Sequence, residues 1–205
     1  MSNYQLEAFI DGKSISDVDL LREEVERSRI ALRLLKEKLG YDGVKELLKD
    51  EIKESTDLLR VVVEKSEKGK YAPAVADIYV KGMTVEEYLG WYFKKSTING
   101  GIDLVHNHPE HYATLMYEGT EDVIEPTGNM KLPFNMILKH QPNADNAPDK
   151  VTCPIQTHVI TYFPEGDPIG MEAFHQFENT EEGFHGRLAI YYPSATDKEF
   201  LKAQQ

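Results

Sequence analysis

The seven histidines of this chain all fall between His106 and His185, and the first 105 residues hold none. Three of them lie in one short run, His106-Asn107-His108-Pro109-Glu110-His111. Imidazole both ligates metals and moves protons near neutral pH, so chemistry is expected in the second half of the chain. Pro109 fixes its own φ and disfavours helix at His108, which makes this run a loop entering a strand. Loop histidines converging with carboxylates suit zinc or iron. The alternative is a surface loop whose histidines are incidental.

Glu125 closes an apolar β-run, Val123-Ile124-Glu125-Pro126. It is either an edge-strand charge or an inward-facing ligand. His175 sits in Met171-Glu172-Ala173-Phe174-His175-Gln176-Phe177-Glu178, where alternation places it with Met171, Ala173 and Phe177 on one apolar face. It is either a hydrogen-bonded core histidine or a polar group lining a pocket inside a curved sheet. The chain has no nucleophile elbow, no glycine-rich phosphate or dinucleotide loop and no H-E-x-x-H pair. Cys153, between Thr152 and Pro154, has no activating neighbour and reads as structural.

The elements that must position these groups divide into two textures. Val18, Leu21, Val25, Leu32, Leu35 and Leu39 keep a three-then-four spacing interrupted only by Ser28, an amphipathic stripe. Ser16 is its expected N-cap and Gly40 its stop. After a turn at Asp42-Gly43, a second helix is expected over residues 44–64, giving an antiparallel helical hairpin. Its role is packing or dimerisation. Residues 66–70 form a polar linker, dividing a helical segment (1–70) from a cavity domain (71–205). Thr84 and Glu87 make a capping box for a short helix over 84–95, which carries Tyr88, Trp91 and Tyr92, and Asn99-Gly100-Gly101 ends that region. From Ile102 onward, β-prone runs at 112–117, 122–125, 133–139, 155–163, 170–178 and 184–192 alternate with glycine and proline. A hairpin turn is expected at 180–183 and an open loop at 143–150. The reading is α+β, with helices before an antiparallel sheet of about six strands.

Composition narrows the partners. The net charge is −12, which argues against non-specific nucleic-acid binding. Residues 1–70 hold 16 acids and 14 bases, a net of −2, and residues 71–205 hold 19 acids and 9 bases, a net of −10, so the second half favours cations. A single cysteine excludes an internal disulfide or a thiolate cluster. With no secretory signal and no apolar run long enough to span a bilayer, a cytoplasmic, membrane-free setting is expected.

Several segments together resemble the 2,4-diacetylphloroglucinol hydrolase and phloretin hydrolase family. Gly82-Met83-Thr84-Val85-Glu86-Glu87-Tyr88-Leu89-Gly90-Trp91-Tyr92-Phe93 resembles its G-M-T helix. Leu104-Val105-His106-Asn107-His108-Pro109-Glu110-His111 resembles its L-W-H-P-x-D-H segment, with His111 at the metal-binding histidine. Val123-Ile124-Glu125-Pro126 resembles the strand that supplies a glutamate ligand, and residues 175–187 resemble its late hairpin, where a histidine faces the substrate. The resemblance implies a Bet v 1-like helix-grip sheet around a cavity, bound zinc, and hydrolysis of the carbon–carbon bond between an acyl group and a phenolic ring. It assigns His111 and Glu125 to the metal and a substrate-facing place to His175. In the expected reaction His175, with Tyr191 or Tyr192 as further candidates, hydrogen-bonds ring hydroxyls and helps protonate the leaving carbon.

The family's remaining ligands are a His and a Glu one turn apart on a C-terminal helix. Here Thr196 and Glu199 cap a helix expected near Asp197, and no H-x-x-x-E follows before Gln205. Either the sequence is shortened or half the shell is missing, with His106, His108 or His175 left to complete it. The expected function is thus metal-dependent cleavage of an acyl-phenol or diketone-like compound. The alternatives are a non-catalytic binder of phenolic or hydrophobic molecules on the same fold, and a metal-binding cupin built on His106-x-His108 and Glu118-Gly119. A homodimer through the N-terminal helices is the expected assembly.

Overall fold

The structure is a computed structural model that describes residues 8–97, 105, 106, 108–117 and 119–204. The expected turn at Asn99-Gly100-Gly101, the start of the β-region at 102–104, Asn107 and Glu118 lie outside the described residues.

A two-stranded hairpin, β1 (Ala8–Ile10) and β2 (Lys13–Ile15), turns through Asp11 and Gly12, both at positive φ. Helices α1 (Asp17–Leu47) and α2 (Lys49–Lys65) follow. Ser16 caps α1 as expected, its Oγ accepting from the Asp19 N–H at 3.2 Å. Gly40 breaks α1 with φ 62° and ψ −177°, a backbone state that only glycine enters readily. The helix then resumes through the expected turn at Asp42-Gly43 and runs past Leu48 almost without interruption. There the Leu48 N–H bonds the Val44 carbonyl and the Ile52 N–H bonds the Leu48 carbonyl.

The main sheet holds seven described strands: β3 (Tyr71–Lys81), β4 (Ala113–Tyr117), β5 (Thr120–Glu125), β6 (Phe134–His140), β7 (Ile155–Tyr162), β8 (Pro168–Thr180) and β9 (Gly183–Pro193). Their order is β3-β9-β8-β7-β6-β5-β4, antiparallel at every pairing. The turn between β8 and β9 falls at Glu181-Glu182, as the sequence indicates. Two more helices, α3 (Val85–Thr97) and α4 (Lys198–Gln204), complete four described helices. Strands β3 to β9 form a single antiparallel sheet with helices packed on it, separate from the β1–β2 hairpin, and not the double-sheet jelly roll of the cupin expectation.

Register fixes the two faces of the sheet, because directly opposed residues share a face. Glu121, Val123 and Glu125 of β5 oppose Leu138, Met136 and Phe134 of β6. Leu138 and His140 oppose Thr161 and Val159, and Thr157, Val159 and Ile155 oppose His175, Ala173 and Phe177. Ala173 opposes Ile190, and Ala74 opposes Ile190 in turn. This inner face takes α2, α3 and α4. Leu59 and Val63 of α2 and Phe200 and Leu201 of α4 pack with Phe134, Met136, Met171 and Tyr192 to fill one half of it. Ser55 of α2 is fully buried and donates to the Pro133 carbonyl at 2.6 Å. The linker expected at residues 66–70 connects α2 to β3, so helix and sheet share one core across it.

The helical hairpin needs correction. Its stripe does not pack on α2, because Val18, Leu21, Val25, Leu35 and Leu39 are exposed. The apolar face of α2 is spent on the sheet, and α1 reaches the body through the buried Lys36, which bonds the histidine loop, and through its last turn, where Val44 meets Ala113 and Ile124. Among the described residues no helix is long and apolar enough to cross a membrane.

Candidate functional site

The other half of the inner face is spanned by α3. The Thr84–Glu87 capping box forms as expected: the Thr84 N–H donates to Glu87 Oε2 at 2.8 Å, and the Glu87 N–H to Thr84 Oγ1 at 3.2 Å. Asn179, at the end of β8, anchors the same terminus by accepting the Val85 N–H at 2.8 Å and donating to Glu86 at 3.0 Å. One face of α3 is thereby held over the sheet. Between them lies a cavity of about 190 Å³, walled by Tyr88, Leu89, Tyr92 and Phe93 of α3 and by Leu138, Val159, Ala173, Phe177 and Leu188 of the sheet. Its polar groups are Glu121, His140, Thr157 and His175. This volume accommodates a single substituted ring, and apolar walls with a few fixed polar groups are the usual make-up of a small-molecule site.

His175 is where alternation placed it, on the inner face and in the cavity wall. Its Nδ1 accepts the Ala189 backbone N–H at 3.1 Å. That assigns the ring proton to Nε2. Burial pulls its pKa down to about 4, so the ring is neutral at physiological pH. Across the cavity, His140 Nε2 lies 2.7 Å from Glu121 Oε1, and the Glu121 side chain is buried. Tyr92 sits close to this carboxylate. Burial raises its phenol pKa, and the charges of Glu121 and Glu125 add to the rise.

His111 and Glu125, remote in sequence, are brought together: His111 Nε2 lies 3.3 Å from Glu125 Oε2, at the rim of the inner face. Burial raises Glu125 to about 7, and the charges of Glu121 and Glu110 push the same way. His106 Nε2 is 3.4 Å from Glu37 of α1, whereas His108 stands beside His111 with ring centroids 5.2 Å apart and accepts the Glu110 N–H through Nδ1.

Tyr191 is corrected. It opposes Glu172 on the outer face, where its hydroxyl donates to Asp149 at 2.8 Å, and Ala144 and Ala147 of the 143–150 loop pack over it. It does not line the cavity. Tyr192, one residue on, takes the inner face and shares a 2.5 Å hydrogen bond with Thr127. Two further polar networks lie on the outer face. Tyr71 donates to Glu172 at 2.5 Å, and Glu172 meets the buried His158 at 2.7 Å. His185 bridges Asp77 at 2.9 Å and Glu178 at 3.2 Å.

The donor count decides how well zinc fits. His111 and Glu125 supply two ligands, and among the described residues no third His, Cys, Asp or Glu joins them within ligand distance. The one such group of three is Cys153, Glu178 and His185, on the opposite face from the cavity. Two protein donors rarely hold zinc, so the described residues alone do not make a zinc site of His111 and Glu125.

Glu121 and His140 are the site residues that local reading missed. The available signal was the spacing Glu121-x-Val123-x-Glu125, which puts both carboxylates on one strand face. No family model matches this chain, and no curated protein is significantly similar to it.

Proposed function

We propose that this protein binds a small phenolic or acyl-phenolic molecule in the cavity beneath α3. The observation that carries this reading is the placement of His175, a neutral imidazole with its Nε2–H free to face the cavity, across from the Glu121–His140 pair in a wall otherwise aromatic and aliphatic. A ring with hydroxyl or carbonyl substituents would accept from His175 and donate to Glu121. The tyrosines and phenylalanines supply faces and edges for the ring itself. The strand order, with the first strand of the sheet beside the last and helices on the inner face, supports the helix-grip reading of the fold.

A second reading adds cleavage of the acyl group. It is favoured by the His111–Glu125 contact, because a carboxyl held near 7 beside an imidazole is poised for proton transfer at neutral pH. No step through a metal is derived, since the donors for it are not assembled.

Binding is tested by titrating the protein with 2,4,6-trihydroxyacetophenone and following the fluorescence of Trp91 on α3. Saturable quenching is expected, and Ala173→Phe, which fills the cavity, should abolish it. An identical response in that variant would place the ligand elsewhere. Acetate release from the same compound tests cleavage. Saturable binding without acetate would leave the first reading standing and remove the second.

A further inference from the structure

From Leu21 to Ala31 every residue of α1 is solvent-exposed, and of residues 17–35 only Leu20 and Leu32 are even half-buried. In proteins most helical stability comes from packing an apolar face and not from propensity. Yet Val18, Leu21, Val25, Leu35 and Leu39 are 56, 59, 50, 60 and 40% exposed, a continuous apolar edge that no other described residue covers. With Leu32 they fall at heptad positions over residues 17–39: Val18, Val25, Leu32 and Leu39 at a, and Leu21, Ser28 and Leu35 at d.

We propose that α1 pairs with α1 of a second copy of this chain as a parallel two-stranded coiled coil over residues 17–39. Three observations select this occupant and orientation. β-branched residues at a with leucine at d favour two parallel strands, and the first three layers hold Val18, Leu21 and Val25. The flanking charges are complementary in that arrangement. Asp17 and Glu24 occupy g, Arg22 and Arg29 occupy the following e positions, and a parallel pair sets Asp17 against Arg22 and Glu24 against Arg29 of the other copy, on both sides of the seam. An antiparallel pair would set Arg29 against Arg29 and bring Arg22 towards Lys36. Finally, Ser28 is the one polar residue in the seam. A parallel in-register pair places it opposite itself, hydroxyl to hydroxyl, whereas an antiparallel pair buries it against leucine. Ile30 and Leu34 lie outside the seam and stay exposed.

The seam also ends where the fold requires. Lys36, the next e position, turns into the body and is buried, and Gly40 breaks the helix one residue after the last a position. The rod is therefore about 34 Å long at 1.5 Å per residue. The interface is isologous, as a twofold dimer requires.

Sedimentation equilibrium on the full chain should give twice the chain mass at micromolar concentration. The variant Leu21→Glu/Leu35→Glu should sediment as a monomer with its near-ultraviolet dichroism unchanged, because both side chains are exposed in the single chain. Monomeric wild-type protein, or a dimer that survives both substitutions, overturns the proposal. Orientation is read separately. In a Cys153→Ala background, Ser28→Cys should oxidise to a disulfide-linked dimer on a non-reducing gel. A dimeric protein that fails to cross-link at this position overturns the parallel pairing.

Discussion

The Lys36 ammonium lies 2.6 Å from the backbone carbonyl of His111, 75 residues away in the chain. It also donates to the Pro109 carbonyl at 2.7 Å and lies 3.3 and 3.4 Å from those of Val105 and His108. One buried cation thus collects four carbonyls of the histidine loop and fixes it to α1. Burial lowers the Lys36 pKa to about 8, and these carbonyls stand in for the water that the ammonium has lost. Lys36 is in this sense a positioning residue for the His111–Glu125 contact.

Lys36→Met keeps the length of the side chain but leaves those carbonyls without a donor. A loss of about 2–4 kcal/mol is expected in urea unfolding, the range for a buried charged hydrogen-bonding group removed from its partners. Amide exchange should locate the effect. The His111 N–H, which bonds the His108 carbonyl at 3.2 Å, should exchange faster, and the β8–β9 amides should not.

His175 imposes a pH dependence on stability. Its folded pKa is about 4 because of burial, against about 6.5 in an unfolded chain. Below about 6.5 the unfolded state takes up the proton first, so stability is full above that pH and falls as the pH drops towards 4. His175→Gln should flatten this part of the curve by about 3 kcal/mol at most, measured as unfolding midpoints from pH 7 to 4. An unchanged slope would mean that the ring is not desolvated. In the cavity, the same substitution should weaken trihydroxyacetophenone binding about tenfold, the usual worth of one hydrogen bond.

Glu125 acts with the opposite sign. Its folded pKa near 7 exceeds its unfolded value near 4.3, so stability is full below about 4 and declines as the pH rises through 7. Glu125→Gln should remove this decline and be the more stable protein at pH 8, by about 2–3 kcal/mol. If the variant is less stable at pH 8, the carboxylate is held charged by His111 and the burial argument fails.

Asn179 joins the end of β8 to the start of α3. Asn179→Ala should cost about 1 kcal/mol through loss of the bond to the Val85 N–H. Because α3 forms one wall of the cavity, ligand affinity should fall with it while the β3–β9 pairing stays protected from exchange.

The helices and six of the seven strands of the main sheet were legible because their apolar periods are strong and their caps and turns are local. β3 was not, and its residues explain why. Ala72, Ala74 and Ala76 carry its inner face, and alanine is a poor strand signal. Pro73 also argues against a central strand, and it is tolerated because β3 lies at the edge of the sheet. The Asp11-Gly12 turn is a local hairpin signal, but strands of three residues are too short to show an alternation. His175 was placed by alternation alone. Tyr191 and Tyr192 were not separable without register, since adjacent strand residues face opposite ways and only the partner strand decides which is inside. The Glu121–His140 pair comes from two strands and had no local pattern to announce it.

The sheet's first strand is paired only with its last. The innermost contact of that pairing, Lys81 with Gly183, closes a loop of about 100 residues (183 − 81). Such a loop is slow to close, because its entropy is lost before the contacts form. During synthesis β3 must wait, unpaired, until β9 has emerged. Its alanine-poor outer face carries Tyr71, Val75 and Tyr79, so the waiting strand offers an edge for wrong partners. Refolding of this protein should therefore be limited by one late event, and yield should fall as protein concentration rises during that interval.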